Sequence, residues 1–228
     1  MERHFERQLE LLKERLLVMG GRTEAIVLKS VEALRRRDET LAREVVVDDR
    51  AIDRLEIEVE ERAVSLLALQ QPLASDLRFI TAALKISNDL ERAGDHGVNI
   101  AGSALKLASE PPLKPLAHIP RMAELSSEML HDALDAFVRR DSDSARKLCL
   151  RDDDVDQLNR QVTSDVEKMM MEDPTTVTRA VELMLVARNL ERVADLATNV
   201  AEEVVFIAEA RIIKHHFEDT ANDDFARS

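Results

Sequence analysis

One stretch of this chain is written twice. Leu90-Glu91-Arg92-Ala93-Gly94-Asp95-His96-Gly97-Val98-Asn99-Ile100-Ala101 returns one hundred residues later as Leu190-Glu191-Arg192-Val193-Ala194-Asp195-Leu196-Ala197-Thr198-Asn199-Val200-Ala201. The shared core is Leu-Glu-Arg-x-x-Asp-x-x-x-Asn-[Ile/Val]-Ala. At about 100° per residue, Glu91, Asp95 and Asn99 fall at roughly 0°, 40° and 80° on a helix. They form one stripe, and in the second copy Glu202 joins it at roughly 20° from Glu191. Each stripe offers only oxygen donors. Carboxylates stacked four apart disfavour a helix by a few tenths of a kcal/mol, on the order of one ion-pair term. A cation is the natural group to offset that cost.

The repetition extends beyond the motif. Ala33-Leu34-Arg35-Arg36-Arg37-Asp38 matches Ala136-Phe137-Val138-Arg139-Arg140-Asp141, and Ile52-Asp53-Arg54-Leu55 matches Val155-Asp156-Gln157-Leu158. Apolar residues at three- and four-residue steps predict a helix over 3–37, broken in pattern by Gly20-Gly21. Gly20-Gly21 is read as a weak spot or as a place where another helix packs close. Asp38 reads as the N-cap of a second helix reaching about residue 70, which Pro72 ends. A third helix, about 75–109, carries the motif. Pro111-Pro112-Leu113-Lys114-Pro115 is the clearest break. The expected fold is therefore all-α, two tandem three-helix bundles from an internal duplication, with units at 1–110 and 116–215 and a polar, disordered tail at 216–228. The period is too long for a solenoid.

Composition agrees. Aromatic content is 3%, Trp and Tyr are absent, and there are only 5 Gly, so strand and turn formers are scarce. A net charge of −13 argues against nucleic acid as a partner. The single Cys149 excludes an internal disulfide framework and fits a reducing compartment. No apolar run approaches the ~18 residues of a spanning helix, and the expected location is the cytoplasm.

A second acidic pair sits in each copy: Asp49-x-x-x-Asp53 and Asp152-x-x-x-Asp156. In an antiparallel hairpin, residues equidistant from the turn lie level. Turns at Pro72 and beside Pro174 put Asp49 and Asp53 level with Glu91 and Asp95, and Asp152 and Asp156 level with Glu191 and Asp195. Four carboxylates and an Asn converge once per bundle. Such donors suit Mg²⁺, Ca²⁺, Mn²⁺ or ferric iron. A single acidic pair on a helix is ordinarily a solvated face balanced by Arg. Four pairs, level in twos and duplicated, point to metal.

Other features carry less. Glu128-x-x-His131 has the spacing of di-iron carboxylate bundles, which need two such pairs, and only one is present. His96 lies about 100° off the stripe and reads as a packing residue or a support for the ligands. Gly94, Gly97 and Gly102 either admit a close helix or loosen their own. Met169-Met170-Met171 reads as core filling. No Gly-rich phosphate loop, Ser-His-Asp set or Cys-x-x-Cys pair supports catalysis.

Tandem three-helix repeats, each with Asp-x-x-x-Asp and Glu-Arg-x-x-Asp-x-x-x-Asn-[Ile/Val]-Ala, resemble the PhoU family of phosphate-transport regulators. The resemblance covers about residues 1–215 and includes the opening Phe5-x-x-x-Leu9 and Met19-Gly20. It implies a cytoplasmic bacterial protein, not an enzyme, that negatively regulates the phosphate-specific ABC transporter and the phosphate-starvation response. The implied partners are the transporter's ATPase subunit, a phosphate-sensing membrane histidine kinase and a second copy of the chain, with peripheral membrane association. The implied cofactors are iron, zinc, manganese or magnesium ions. Carried over residue by residue, the metal positions are Asp49, Asp53, Glu91, Asp95 and Asn99, then Asp152, Asp156, Glu191, Asp195, Asn199 and Glu202. The family often has an acid three after the Asn. Repeat two keeps it as Glu202, whereas repeat one has Gly102 and is expected to bind metal more weakly. The alternative is a metal-storage or di-metal carboxylate bundle.

Overall fold

In the computed structural model, residues 2–114 and 117–213 are described. The polar stretch from 216 lies outside them. Seven α-helices follow one another: α1 (Glu2–Arg36), α2 (Glu39–Gln70), α3 (Ala74–Ala108), α4 (His118–Arg139), α5 (Ser142–Cys149), α6 (Asp152–Glu172) and α7 (Val177–Glu209), with one 3₁₀ turn at Pro174–Thr176. No strand occurs among the described residues.

The duplication is legible down to the helix ends. α1 closes with Arg37 at φ 57° and α4 with Arg140 at φ 53°. In each case the next residue's N–H returns to the turn: Asp38 to the Ala33 carbonyl at 2.9 Å, Asp141 to the Ala136 carbonyl at 3.0 Å. The same Asp then caps the following helix, Asp38 accepting from the Leu41 N–H and Asp141 from the Ser144 N–H. One short motif therefore ends a helix, reverses the chain and starts the next.

The copies part at the second rod. Where α2 runs unbroken for 32 residues, its counterpart splits into α5 and α6 at Leu150-Arg151, so the expected single helix is not formed. The Arg151 N–H bonds to the Leu148 carbonyl at 2.9 Å and the Asp154 N–H to the Arg151 carbonyl at 3.1 Å, a tight local turn. Asp152-Asp153-Asp154 follow directly, and three acids favour a new helix N-terminus. The matching Asp49-Arg50-Ala51 has one acid and no such preference.

α1, α2 and α3 form one bundle. α4, the α5–α6 rod and α7 form the other, and the two join mainly along α3 and α7. Both central helices bury many small residues, among them Ala93, Gly94, Gly97 and Ala101 on α3 and Ala194, Ala197 and Ala201 on α7. α3 and α7 run antiparallel. Lys85 near the start of α3 holds Glu203 near the end of α7 at 2.9 and 3.0 Å. At the other end, Lys106 and Ser103 both donate to Glu182 at 2.8 Å. Phe79 stacks on Phe137 across the bundles, centroids 5.3 Å apart. The glycines split by role. A Cβ on Gly20 would lie 2.0 Å from Leu134 of α4, and one on Gly97 would lie 2.6 Å from Ile26, so both positions admit a packed neighbour. Gly21 and Gly102 face open space.

Candidate metal centre

The hairpin register puts the acidic rows face to face. On α2, Asp49 sits close enough to Asp53 and to Asp95 of α3 that their charges act on it, and Glu91 likewise feels Asp95, Glu56, Asp53 and Asp49. Burial, and after it these like charges, lift Asp49 to about 6 and Glu91 to about 7. In the second copy Asp152 feels Asp195, Asp156, Asp153 and Glu191, and burial first, then these neighbours, raise it to about 6. Glu191 and Asp195 are raised too, chiefly by burial.

Gly94 helps build the first row. A Cβ there would stand 3.0 Å from Asp49 Oδ1 and from Ile52, so its absence leaves α2 and Asp49 tight against α3. Glu56, which the sequence reading did not select, joins this row. It is one turn beyond Asp53 and interacts with Glu91, while the Asn88 amide hydrogen-bonds to it. Seven residues separate Asp49 from Glu56, so extending the stripe by one heptad step finds it.

The second row is set differently. Arg192 donates to Asp195 at 3.0 Å, Arg160 stands 3.7 Å from Asp156, and Arg188 and Arg192 both pull Glu191 downward. By contrast Arg92 turns to Asp89 at 3.7 Å. The Asp152 Oδ1 and Thr198 Oγ1 atoms are buried and find no hydrogen-bond partner among the described residues. Both residues line an open cavity of about 330 Å³, together with Asn199 and Glu202. Arg92 and His96 enter the same cavity from α3. Cys149 lies beside Glu202 and Asp152, and burial and these charges push its thiol up to about 12.

Glu128 and His131 do not form a second donor set. Glu128 pairs with Arg151 at 3.1 Å and His131 with Glu24 at 3.4 Å. Met171 is exposed rather than core-filling, and Met170 packs partly against the core.

The rows are not closed cages. Among the described residues, no group of three or more His, Cys, Asp or Glu side chains is arranged to hold a metal ion. The donor chemistry nevertheless fits a hard cation. Crowded carboxylates are held up in pKa by burial and then by one another, and an orphaned buried carboxylate oxygen stands at Asp152. A cation would find Asp49, Asp53, Glu91, Asp95 and Asn99 on one side. On the other it would find Asp152, Asp156, Glu191 and Asp195, with Asn199 and Glu202 lining the cavity beside them.

Comparison with known proteins places these features in a family. The PhoU domain matches residues 16–104 and again 119–204. The phosphate-specific transport system accessory protein PhoU homolog of Aquifex aeolicus (strain VF5) is 42% identical over 209 residues, covering 92% of this chain and 95% of that protein. PhoU homolog 2 of Thermotoga maritima is 35% identical over 219 residues, 96% and 93% of the two chains. Among solved structures, PhoU from Pseudomonas aeruginosa superposes with a TM-score of 0.87 at 35% identity, over 91% of this chain and all of that one. The phosphate transport system regulatory protein PhoU from Streptococcus pneumoniae gives 0.85 at 28% identity, over 92% and 99%.

Proposed function

Because the chain belongs to the PhoU family of phosphate-transport accessory proteins, we propose that it restrains a phosphate-specific ABC transporter and the phosphate-starvation response, as a cation-loaded adaptor in the cytoplasm. It is a regulatory accessory protein rather than an enzyme. The observation that carries the adaptor reading is the pairing of family and geometry. Each matched PhoU domain coincides with one three-helix unit and brings its own two facing acidic rows. The partners are the transporter's ATPase subunit, a phosphate-sensing membrane histidine kinase and a second copy of the chain.

A bound iron, zinc, manganese or magnesium ion supplies positive charge to each row. The residues do the rest. Asp49 and Asp53 bring α2 to the ion, Glu91, Asp95 and Asn99 bring α3, and their duplicates tie α6 to α7. An ion that binds only the folded form stiffens both hairpins and presents a less negative face to a partner or to anionic lipid. No helix among the described residues is long and apolar enough to cross a membrane, so approach to a membrane is peripheral in this reading.

Deletion of the gene should raise phosphate uptake and starvation-reporter activity in phosphate-rich medium. The intact chain should restore repression, and a chain with Asp53, Asp95, Asp156 and Asp195 all changed to Asn should not. Reporter activity that stays low after deletion removes the regulatory reading. Full repression by the substituted chain removes the metal from it.

A further inference from the structure

From Leu17 to Leu28, α1 turns an uncharged strip outwards. Leu17, Val18 and Leu28 are 36, 46 and 45% exposed. Gly21 and Ala25 are exposed between them, and the five positions fall within about 100° of one another on the helix. Gly20 takes Leu134 of α4, whereas a Cβ on Gly21 would meet nothing within 4 Å among the described residues. Val47 of α2, also exposed, flanks the strip where Lys29 of α1 reaches Asp48. The duplicate of this face is the kind that water covers. On α4 the residues matching Val18, Gly21, Ala25 and Leu28 are Arg121, Glu124, Glu128 and His131. There Arg121 donates to Glu124 at 3.2 Å and Arg151 to Glu128 at 3.1 Å. One copy therefore closes its charges on itself, and the other leaves an apolar face without a cover.

Charge at the two ends of the strip says what covers it. Towards the N-terminus the same face carries Glu10 and Glu14, and the Glu10 side chain is held loosely by Lys13 at 4.0 Å. Towards the C-terminus Arg35 and Arg36 share the single carboxylate of Glu32, which leaves positive charge in excess. We propose that this face pairs with the same face of a second copy, the two α1 helices antiparallel about a twofold axis near Arg22-Thr23. The proposal rests on the reading that a second copy is a partner, and it gives that partner its place. A register that sets Leu17 against Leu28 of the second copy also sets Glu10 against its Arg35, and the symmetry makes each contact twice. The paired stretch from Glu10 to Arg35 is ~38 Å of helix. Glu14 comes near Glu32 of the second copy, whose charge Arg35 and Arg36 already hold. A parallel pair would instead set Glu10 against Glu10 and Arg35 against Arg35, so charge selects the antiparallel arrangement.

The test measures the dimer dissociation constant of the full chain by sedimentation. Leu17→Glu/Leu28→Glu is expected to raise it by about a hundredfold or more, because both changes bury a carboxylate in the pair. Met171→Glu alters an exposed apolar residue elsewhere and should leave it unchanged. Glu10→Arg and Arg35→Glu should each raise it about fivefold, and the two together should restore it to within about twofold, which a folding defect does not do. In a Cys149→Ser background, Leu17→Cys and Leu28→Cys chains should form a disulfide-linked pair only when mixed. A dimer that persists in Leu17→Glu/Leu28→Glu, charge reversals that do not compensate, or no cross-link on mixing overturns the proposal and leaves a second copy bound through another face. A wild type that stays monomeric up to its solubility limit overturns the proposal and the second-copy reading together. Loss of repression by Leu17→Glu/Leu28→Glu in that case gives the face to a different protein.

Discussion

Glu91 has Asn88 one turn before it on α3 and Glu56 across from it on α2; at the matching places Glu191 has Arg188 and Asn159. Asp53 is followed one turn later by Ile57, whereas Asp156 is followed by Arg160 at 3.7 Å. Arg92 turns to Asp89, whereas Arg192 holds Asp195. Duplication kept the carboxylates and changed what surrounds them. The first row keeps its negative charge bare, and the second is partly neutralised by three arginines. Donor count alone favours the second row, because Glu202 stands where repeat one has Gly102. Charge favours the first for any small hard cation, since an ion there displaces no guanidinium.

The largest effect should come from the ions themselves. A cation at a hundredfold excess over its Kd stabilises the folded chain by about 2.7 kcal/mol. For a chain of this size that moves the melting midpoint by roughly 5–10 °C. Melting of Asp53→Asn/Asp95→Asn beside Asp152→Asn/Asp195→Asn shows which row is responsible, and Mg²⁺ should act mainly through the first. If no metal moves the wild-type midpoint, both rows are solvated faces and the contrast between them is without consequence.

Next in size is the response to pH without metal. Glu91 titrates near 7 when folded and near its ordinary 4.5 when unfolded, so between those values the folded state holds more protons. Stability should therefore fall as pH rises from about 4.5 to 7, and Asp49 and Asp152, near 6, add to the same slope over their own windows. These groups are half-buried, and after solvent screening each is worth about 1 kcal/mol at most. Glu91→Gln should raise apo stability at pH 8 by that amount and flatten the slope. Glu191→Gln should do less than half as much, because Arg188 and Arg192 already offset its repulsion. Equal effects from the two would erase the proposed asymmetry.

The facing of the rows was legible in the sequence because a hairpin turn at a proline fixes which residues lie level. The cap signal was equally readable: Asp38 does start a helix, and its duplicate Asp141 starts another. Two features were not. The split at Leu150-Arg151 depends on a balance between a continuous helix and a new acidic N-terminus, a matter of a few tenths of a kcal/mol that periodicity does not register. The entry of Arg92 and His96 into the second repeat's cavity depends on α3 packing antiparallel to α7. Hydrophobic spacing says that each helix has a buried face, not which partner covers it. That His96 meets Asn189 of α7 could not be read for that reason, its angle being measured against its own helix alone.

A smaller effect tests the missing donor. Gly102 faces open space, so Gly102→Glu fits without repacking. Helix propensity gains roughly 0.5–1 kcal/mol and the added like charge takes back a few tenths of it in the apo protein. With metal present the substitution should tighten the first site several-fold by calorimetry. Smallest of all should be Asn88→Arg, which copies the second repeat's Arg188 onto the first row. It should change apo stability by a few tenths of a kcal/mol and reduce the difference in pH slope between Glu91→Gln and Glu191→Gln.

The connection between the repeats is gripped from both sides. Arg37 donates to the carbonyls of Ala108 and Glu110 at the end of α3, and Arg179 of α7 donates to the Pro111 carbonyl at 2.9 Å. Lys85–Glu203 and Lys106–Glu182 clamp the helices beyond it. The covalent link is therefore redundant once the protein has folded. A backbone cut at Leu113–Lys114 should leave two polypeptides that stay together, and the halves expressed separately should find one another as a split protein.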